Sequence, residues 1–208
     1  MTQQEWLESS APDLMLTYLT AAASDRKLRL FACACCRRIW DLLPEGPSRR
    51  AVEASERFAD GEIDADDLQR NWTAVRRLVA SDEARVGGWN RLTAAETEAR
   101  DASRSGAWSA AHSVVADSSP DERRGQCDLL RDIFHPFHPL AVQSVWLTEE
   151  VKALTEEIYR ERTFDRMPVL AGALTRAGCQ DADVLAHCRG AGPHVRGCWV
   201  IDLLMDRK

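Results

Sequence analysis

The 208-residue chain has little that points to a membrane, an export route or a familiar catalytic device. No apolar run approaches the ~20 residues that a membrane-spanning helix needs. The first ten residues, "MTQQEWLESS", lack the basic start and apolar stretch of a signal peptide, so a cytoplasmic location is expected. Gly-x-Ser-x-Gly, His-Glu-x-x-His and Walker patterns are missing, and the expectation is a protein that is not an enzyme. Basic excess is missing too. The net charge is −6, which does not favour a nucleic-acid coat. Strand-like alternation is absent and β-branched runs are short, which excludes a sheet as the organising element. Tyrosine is scarce: two stand against seven tryptophans. Indole rings therefore carry most of the polar-tipped aromatic packing.

What is present is a globular composition, 45% apolar and 29% charged, long enough for one sizeable core or two small ones. Cap and stop residues then divide the chain into helices. Pro12 opens a helix to about residue 23, and Ser24 or Asp25 caps one that runs to about residue 43. "PEGP" breaks the chain there. Ser48 caps a helix closed by Gly61, and Asp64 caps one that ends before Gly87 and Gly88. A long helical stretch follows over 92–116. "SSPDE" starts a helix reaching 134, with a serine cap, proline in the first turn and acids at its positive end. Thr148, Asp165 and Asp181 start three more, and a last helix covers about 196–205. The expectation is an all-α fold, an irregular bundle or array of about eight to ten helices. "HPFHP" marks its longest break, giving an N-terminal bundle over 1–134 and a C-terminal subdomain over 140–208.

Seven cysteines, an odd and clustered set, favour thiols or metal ligands over disulfides. The first cluster lies in "FACACCRRIW", residues 31–40. On a helical wheel Leu28, Phe31, Ala32, Cys35, Ile39, Leu42 and Leu43 share one face, with Cys36 at its edge. Cys35 and Cys36 read as small apolar core residues. Cys33 projects from the other side among Arg26, Arg29 and Arg37, where positive charge would favour thiolate. If exposed, it is the candidate reactive thiol; if another helix covers it, it is inert. The same arginines, with Arg49 and Arg50, are the candidate docking face for an acidic partner. Residues 24–50 hold seven Lys/Arg against three acids, and residues 51–70 hold seven acids against two arginines. The alternative is that these two stretches neutralise each other within the fold.

The second cluster is Cys179-x8-Cys188-x5-His194-x3-Cys198. Its spacing is similar to CCCH zinc fingers with the last two ligand types exchanged. Three thiolates and an imidazole suit tetrahedral zinc. His187 is a substitute ligand beside Cys188. Against this, no aromatic residue lies between Cys179 and Cys198 to stack on bases, and "DADVLAHC" reads as a capped helix. In the competing reading Cys188 and Cys198 are core residues and His194 bonds a loop carbonyl. His135 and His138 sit in a proline-rich turn and read as loop punctuation. Glu149/Glu150 and Glu156/Glu157 read as solvated helix face.

"SDRKLRLFACACCRRIWDLL" and "DADVLAHCRGAGPHVRGCWVIDLLM" resemble an uncharacterised family of small helical proteins from planctomycete bacteria, and "LLRDIF" fits the same set. The resemblance implies a helical module from such an organism, and no activity or site residue. Together these features lead to an expected non-enzymatic interaction or adaptor module with a protein partner and no membrane contact. The alternative is a zinc-stabilised module touching nucleic acid or an acidic partner through its basic helix face.

Overall fold

The computed structural model describes residues 1–20, 22–43, 45–86, 110–111, 115, 119–137 and 142–207, with backbone alone over 78–86. Among the described residues there are ten α-helices and no strand, so the fold is all-α. No described helix is long and apolar enough to cross a membrane. The chain divides into two compact units, Met1–Cys127 and Asp128–Lys208.

Side-chain caps set most helix starts. Thr2 and Glu5 form a reciprocal capping box that begins α1, Gln3–Glu8, a helix the sequence reading did not anticipate. Proline in the first turn begins α2, Pro12–Leu19. The Ser24 hydroxyl accepts from the Lys27 N–H at 3.4 Å and begins α3, Asp25–Arg38. α3 ends five residues earlier than expected, giving way to a 3-10 turn at Trp40–Leu42. The N–H groups of Ile39, Leu42 and Leu43 turn to the carbonyls three residues back, and Arg49 closes the turn. Its guanidinium donates to the carbonyls of Leu43 at 2.9 Å and Trp40 at 3.3 Å, which satisfies them outside an α-helix. Leu42, expected in the core, is consequently exposed. α4, Pro47–Ala59, follows Gly46, and Ser48 is buried inside its first turn rather than capping it. Asp64 accepts from the Asp67 N–H at 2.8 Å and starts α5, Ala65–Val86. The expected helix over 92–116 lies largely outside the described residues.

In the first unit α3 packs on α4 and α4 on α5. From Leu28 to Cys36 every residue of α3 is buried, so the helix is surrounded rather than amphipathic there. α6, Pro120–Ile133, starts on Ser119, whose hydroxyl accepts from the Glu122 N–H at 3.3 Å; the division between units falls inside it.

The second unit holds the C-terminal turn of α6, a 3-10 turn at Ser144–Trp146, then α7 (Glu149–Glu161), α8 (Met167–Arg176), α9 (Ala182–Arg189) and α10 (Trp199–Leu204). Thr148 caps α7, and the Asp181 carboxylate caps α9 by accepting two N–H groups at 3.0 Å. α8 packs against α7 and α9, and α10 against the same two. Ile158, Met167, Leu170, Leu174, Val184 and Ile201 fill the space between them.

Candidate metal centre

Three loops and helix ends of the second unit converge on one buried carboxylate. Asp132 lies in the last turn of α6, on the same face as the buried Leu129. A carboxylate there gains nothing from the helix dipole, whose negative end it occupies. It is instead held by its neighbours. Its Oδ2 accepts from the Val195 N–H at 2.9 Å. Its Oδ1 stands 2.8 Å from His194 Nδ1 and 3.1 Å from His187 Nε2. His187 comes from the last turn of α9, a position that suits an imidazole. His194 comes from the following loop. There Gly190 turns the chain so tightly that an added Cβ would stand 3.2 Å from the His187 carbonyl. Cys198 follows Gly197, whose φ of 90° belongs to glycine, and a turn bond from the Cys198 N–H to the Val195 carbonyl at 3.0 Å brings its sulfur inward. Cys198 Sγ then lies 3.2 Å from His187 Nε2.

One donor atom from each of Asp132, His187, His194 and Cys198 therefore lies within 4.8 Å of the other three. Asp132 and Cys198 are buried, and the two imidazoles line a cavity of about 330 Å³ with Arg131 and Pro193. Burial raises the Asp132 carboxyl, but hydrogen bonds from His187 and His194 outweigh it and hold the carboxyl below its usual value. Burial also opposes charge on His194. Asp132 and then the Gly190 carbonyl, 3.4 Å from Nε2, reverse this and raise its pKa. The Cys198 thiol is pushed well above its ordinary value by burial and then by Asp132.

This is not the arrangement of a Cys-His-Asp nucleophile. In such a triad the thiol and the carboxylate face opposite nitrogens of the imidazole. Here both face His187 Nε2, and the environment favours thiol over thiolate. The donor set suits a metal better. Two imidazoles, a thiolate and a carboxylate are accepted together by tetrahedral zinc. Coordination would also remove the thiol proton that burial retains. His194 Nδ1 donates to Asp132; ligation through Nδ1 would need that proton to leave, and the Gly190 carbonyl would then accept the proton on the other nitrogen. The present contacts of 2.8–3.2 Å are hydrogen-bond distances. Zinc would part these three contacts and draw the more distant donors, up to 4.8 Å apart, together to about 3.3–3.6 Å, given bonds of 2.0–2.3 Å.

Of the four ligands expected from spacing, His194 and Cys198 are in the cluster, and Cys179 and Cys188 are not. Both lie in the apolar core, and burial pushes the Cys188 thiol to about 12. His187 takes the place of its neighbour because consecutive helical residues point about 100° apart. Asp132, more than fifty residues upstream, was missed. Its signal was present in "LLRDIF": an acid on the core side of an apolar run. The alternative partner for His194, a loop carbonyl, is also present as Gly190.

Cys33 is buried beside α4, its S–H directed to the Val52 carbonyl at 3.8 Å. The condition for a reactive thiol is not met. Burial and then Glu56 push its pKa to about 12, against the opposing influence of Arg29 and Arg37. The basic face is largely consumed by the same fold. Arg37 grips the buried Glu56 through two bonds of 3.1 and 2.9 Å, and Arg26 pairs with Asp60 at 3.1 Å. Arg29 is buried with its guanidinium 5.0 Å from the Phe58 ring centre, and Arg49 is occupied by the turn carbonyls. Arg50 alone of the five is exposed. All seven cysteines are buried, and no disulfide joins them. His135 stacks on Trp199 at 4.4 Å, and His138 lies outside the described residues.

No protein family matches this chain, and no curated protein or solved structure matches it either. The planctomycete resemblance therefore rests on the quoted segments alone.

Proposed function

We propose that this protein is a non-enzymatic helical interaction module whose C-terminal unit is stapled by one zinc ion, held by Asp132, His187, His194 and Cys198. The observation that carries the reading is the approach of these four donor atoms to within 4.8 Å of one another around a buried carboxylate. Burying a carboxylate and a thiol together costs stability unless charge is shared, and a divalent cation shares it. When bound, the metal supplies a four-point crosslink among α6, α9, the 190–194 loop and the start of α10. Its role is structural, since four protein ligands leave no open position for substrate.

A protein partner fits this reading better than nucleic acid. The arginines that would meet phosphates are matched by Glu56, Asp60 and turn carbonyls. By contrast Leu7, Leu14 and Tyr18, on the two adjoining helices α1 and α2, present apolar area to solvent. The cytoplasm is the proposed location.

Metal analysis of the purified chain tests the reading. About one zinc per chain is expected, as for a closed four-ligand site. It should be lost in Cys198→Ser and Asp132→Asn, and retained in Cys179→Ser. A wild-type protein that is metal-free after purification and takes up no zinc on titration would refute it.

A further inference from the structure

The two histidines of the cluster each turn one nitrogen to Asp132 and differ in what their other nitrogen meets. His194 offers Nδ1 to the centre and directs Nε2 to the Gly190 carbonyl at 3.4 Å, an acceptor. His187 offers Nε2 to the centre, but its Nδ1 faces a donor, the Trp199 indole N–H, at 3.1 Å. An indole N–H can only donate. His187 Nδ1 must therefore accept, and the proton of the neutral ring resides on Nε2. That N–H points at Asp132 Oδ1 and Cys198 Sγ, 3.1 and 3.2 Å away, which explains why both acceptors crowd one nitrogen. Ligation through Nε2 needs the lone pair that this proton occupies. Moving the proton to Nδ1 would set one N–H against another. A bound metal and the Trp199–His187 hydrogen bond are mutually exclusive.

We infer that Trp199 sets the metal affinity of the site: its indole holds His187 in the tautomer that cannot ligate, so zinc enters only as Trp199 leaves His187. This rests on the proposed zinc reading and adds a positioning residue outside the ligand set. The displacement has a structural consequence. Trp199 is the first residue of α10, and its ring is stacked on His135 at 4.4 Å and lies 4.9 Å from His187. Filling the site would therefore move the Trp199 ring at the start of α10 away from His187. The site becomes one that is filled and emptied with a change in the fold around it, rather than a passive staple.

Zinc titration of wild type and Trp199→Phe tests this. Phenylalanine keeps an aromatic ring in the packing and removes the donor. The variant should bind zinc about tenfold tighter, the worth of one hydrogen bond. Equal or weaker binding by a variant with wild-type helix content overturns the inference while leaving the zinc reading in place. Wild-type protein labelled with nitrogen-15 supplies a readout independent of the variant's folding. His187 should carry its proton on Nε2 without zinc and on Nδ1 with it, and the Trp199 indole resonance should move at saturation. A zinc-saturated protein whose His187 stays protonated on Nε2, or whose Trp199 signal does not move, overturns the inference. Absence of zinc uptake by both proteins removes the zinc reading and the inference with it.

Discussion

The two cysteine-rich regions solve the same problem in opposite ways. Around α3, charge is matched pair by pair: Arg37 to Glu56, Arg26 to Asp60. The sulfurs of Cys33, Cys35 and Cys36 are left among buried side chains of the helix. Around α9 and α10, one buried carboxylate is shared by two imidazoles and a backbone N–H, and a thiol stands beside His187. A guanidinium brings permanent charge in a planar fork that a single carboxylate satisfies. Imidazole and thiol bring groups that change proton content, and in the proposed reading they exchange protons for a metal. The partner type, more than cysteine density, separates a sulfur-filled core from a candidate coordination site.

The largest expected effect separates the units outright. Chelation of zinc should destabilise α7 to α10 by an amount on the order of 10 kcal/mol, the scale of structural zinc binding. Protection of α3 to α5 should be unaffected. Hydrogen exchange followed by mass spectrometry, with and without chelator, measures both. Equal protection of α7 to α10 in the two states would contradict the comparison.

A smaller effect belongs to the first unit. Arg37→Ala leaves Glu56 buried without its guanidinium fork and should cost about 3 kcal/mol. Glu56→Ala should cost less, because Arg37 is about a quarter exposed and can reach water. Neither should alter zinc content. Urea denaturation ranks the two variants; the reverse order would mean that Glu56 is not the group trapped by burial.

Much of this architecture was readable in the chain. Caps at Ser24, Thr148 and Asp181 act as their side-chain chemistry dictates. Local rules failed where a distant group took over. Arg49 closes the 3-10 turn by donating to the carbonyls of Trp40 and Leu43, and no pattern within residues 31–43 announces that. The site was half legible. His194 and Cys198, picked out by local spacing, stand in the cluster that the structure brings together. Cys179 and Cys188 lie in the apolar core instead; spacing does not report which way a side chain points. Asp132 was overlooked because its partners lie far along the chain, although an acid within "LLRDIF" is itself the mark of a buried carboxylate.

The smallest expected effect concerns Cys33, where sequence and structure disagree on sign. Neighbouring arginines suggest a thiolate, but burial and Glu56 win, and the thiol is raised to about 12. A group with a raised folded pKa adds stability that is present in full below its unfolded value, about 8.5 for cysteine. That contribution is lost as pH climbs toward the folded value. Cys188, also raised to about 12, acts with the same sign. The urea midpoint should therefore fall between pH 8 and 10.5, and fall less in Cys33→Ala. At pH 8 the native protein should react with iodoacetamide at Cys33 no faster than at the equally buried Cys127. Preferential labelling of Cys33 would mean that α3 and α4 open locally, and would return that thiol to the reactive class from which its packing removes it.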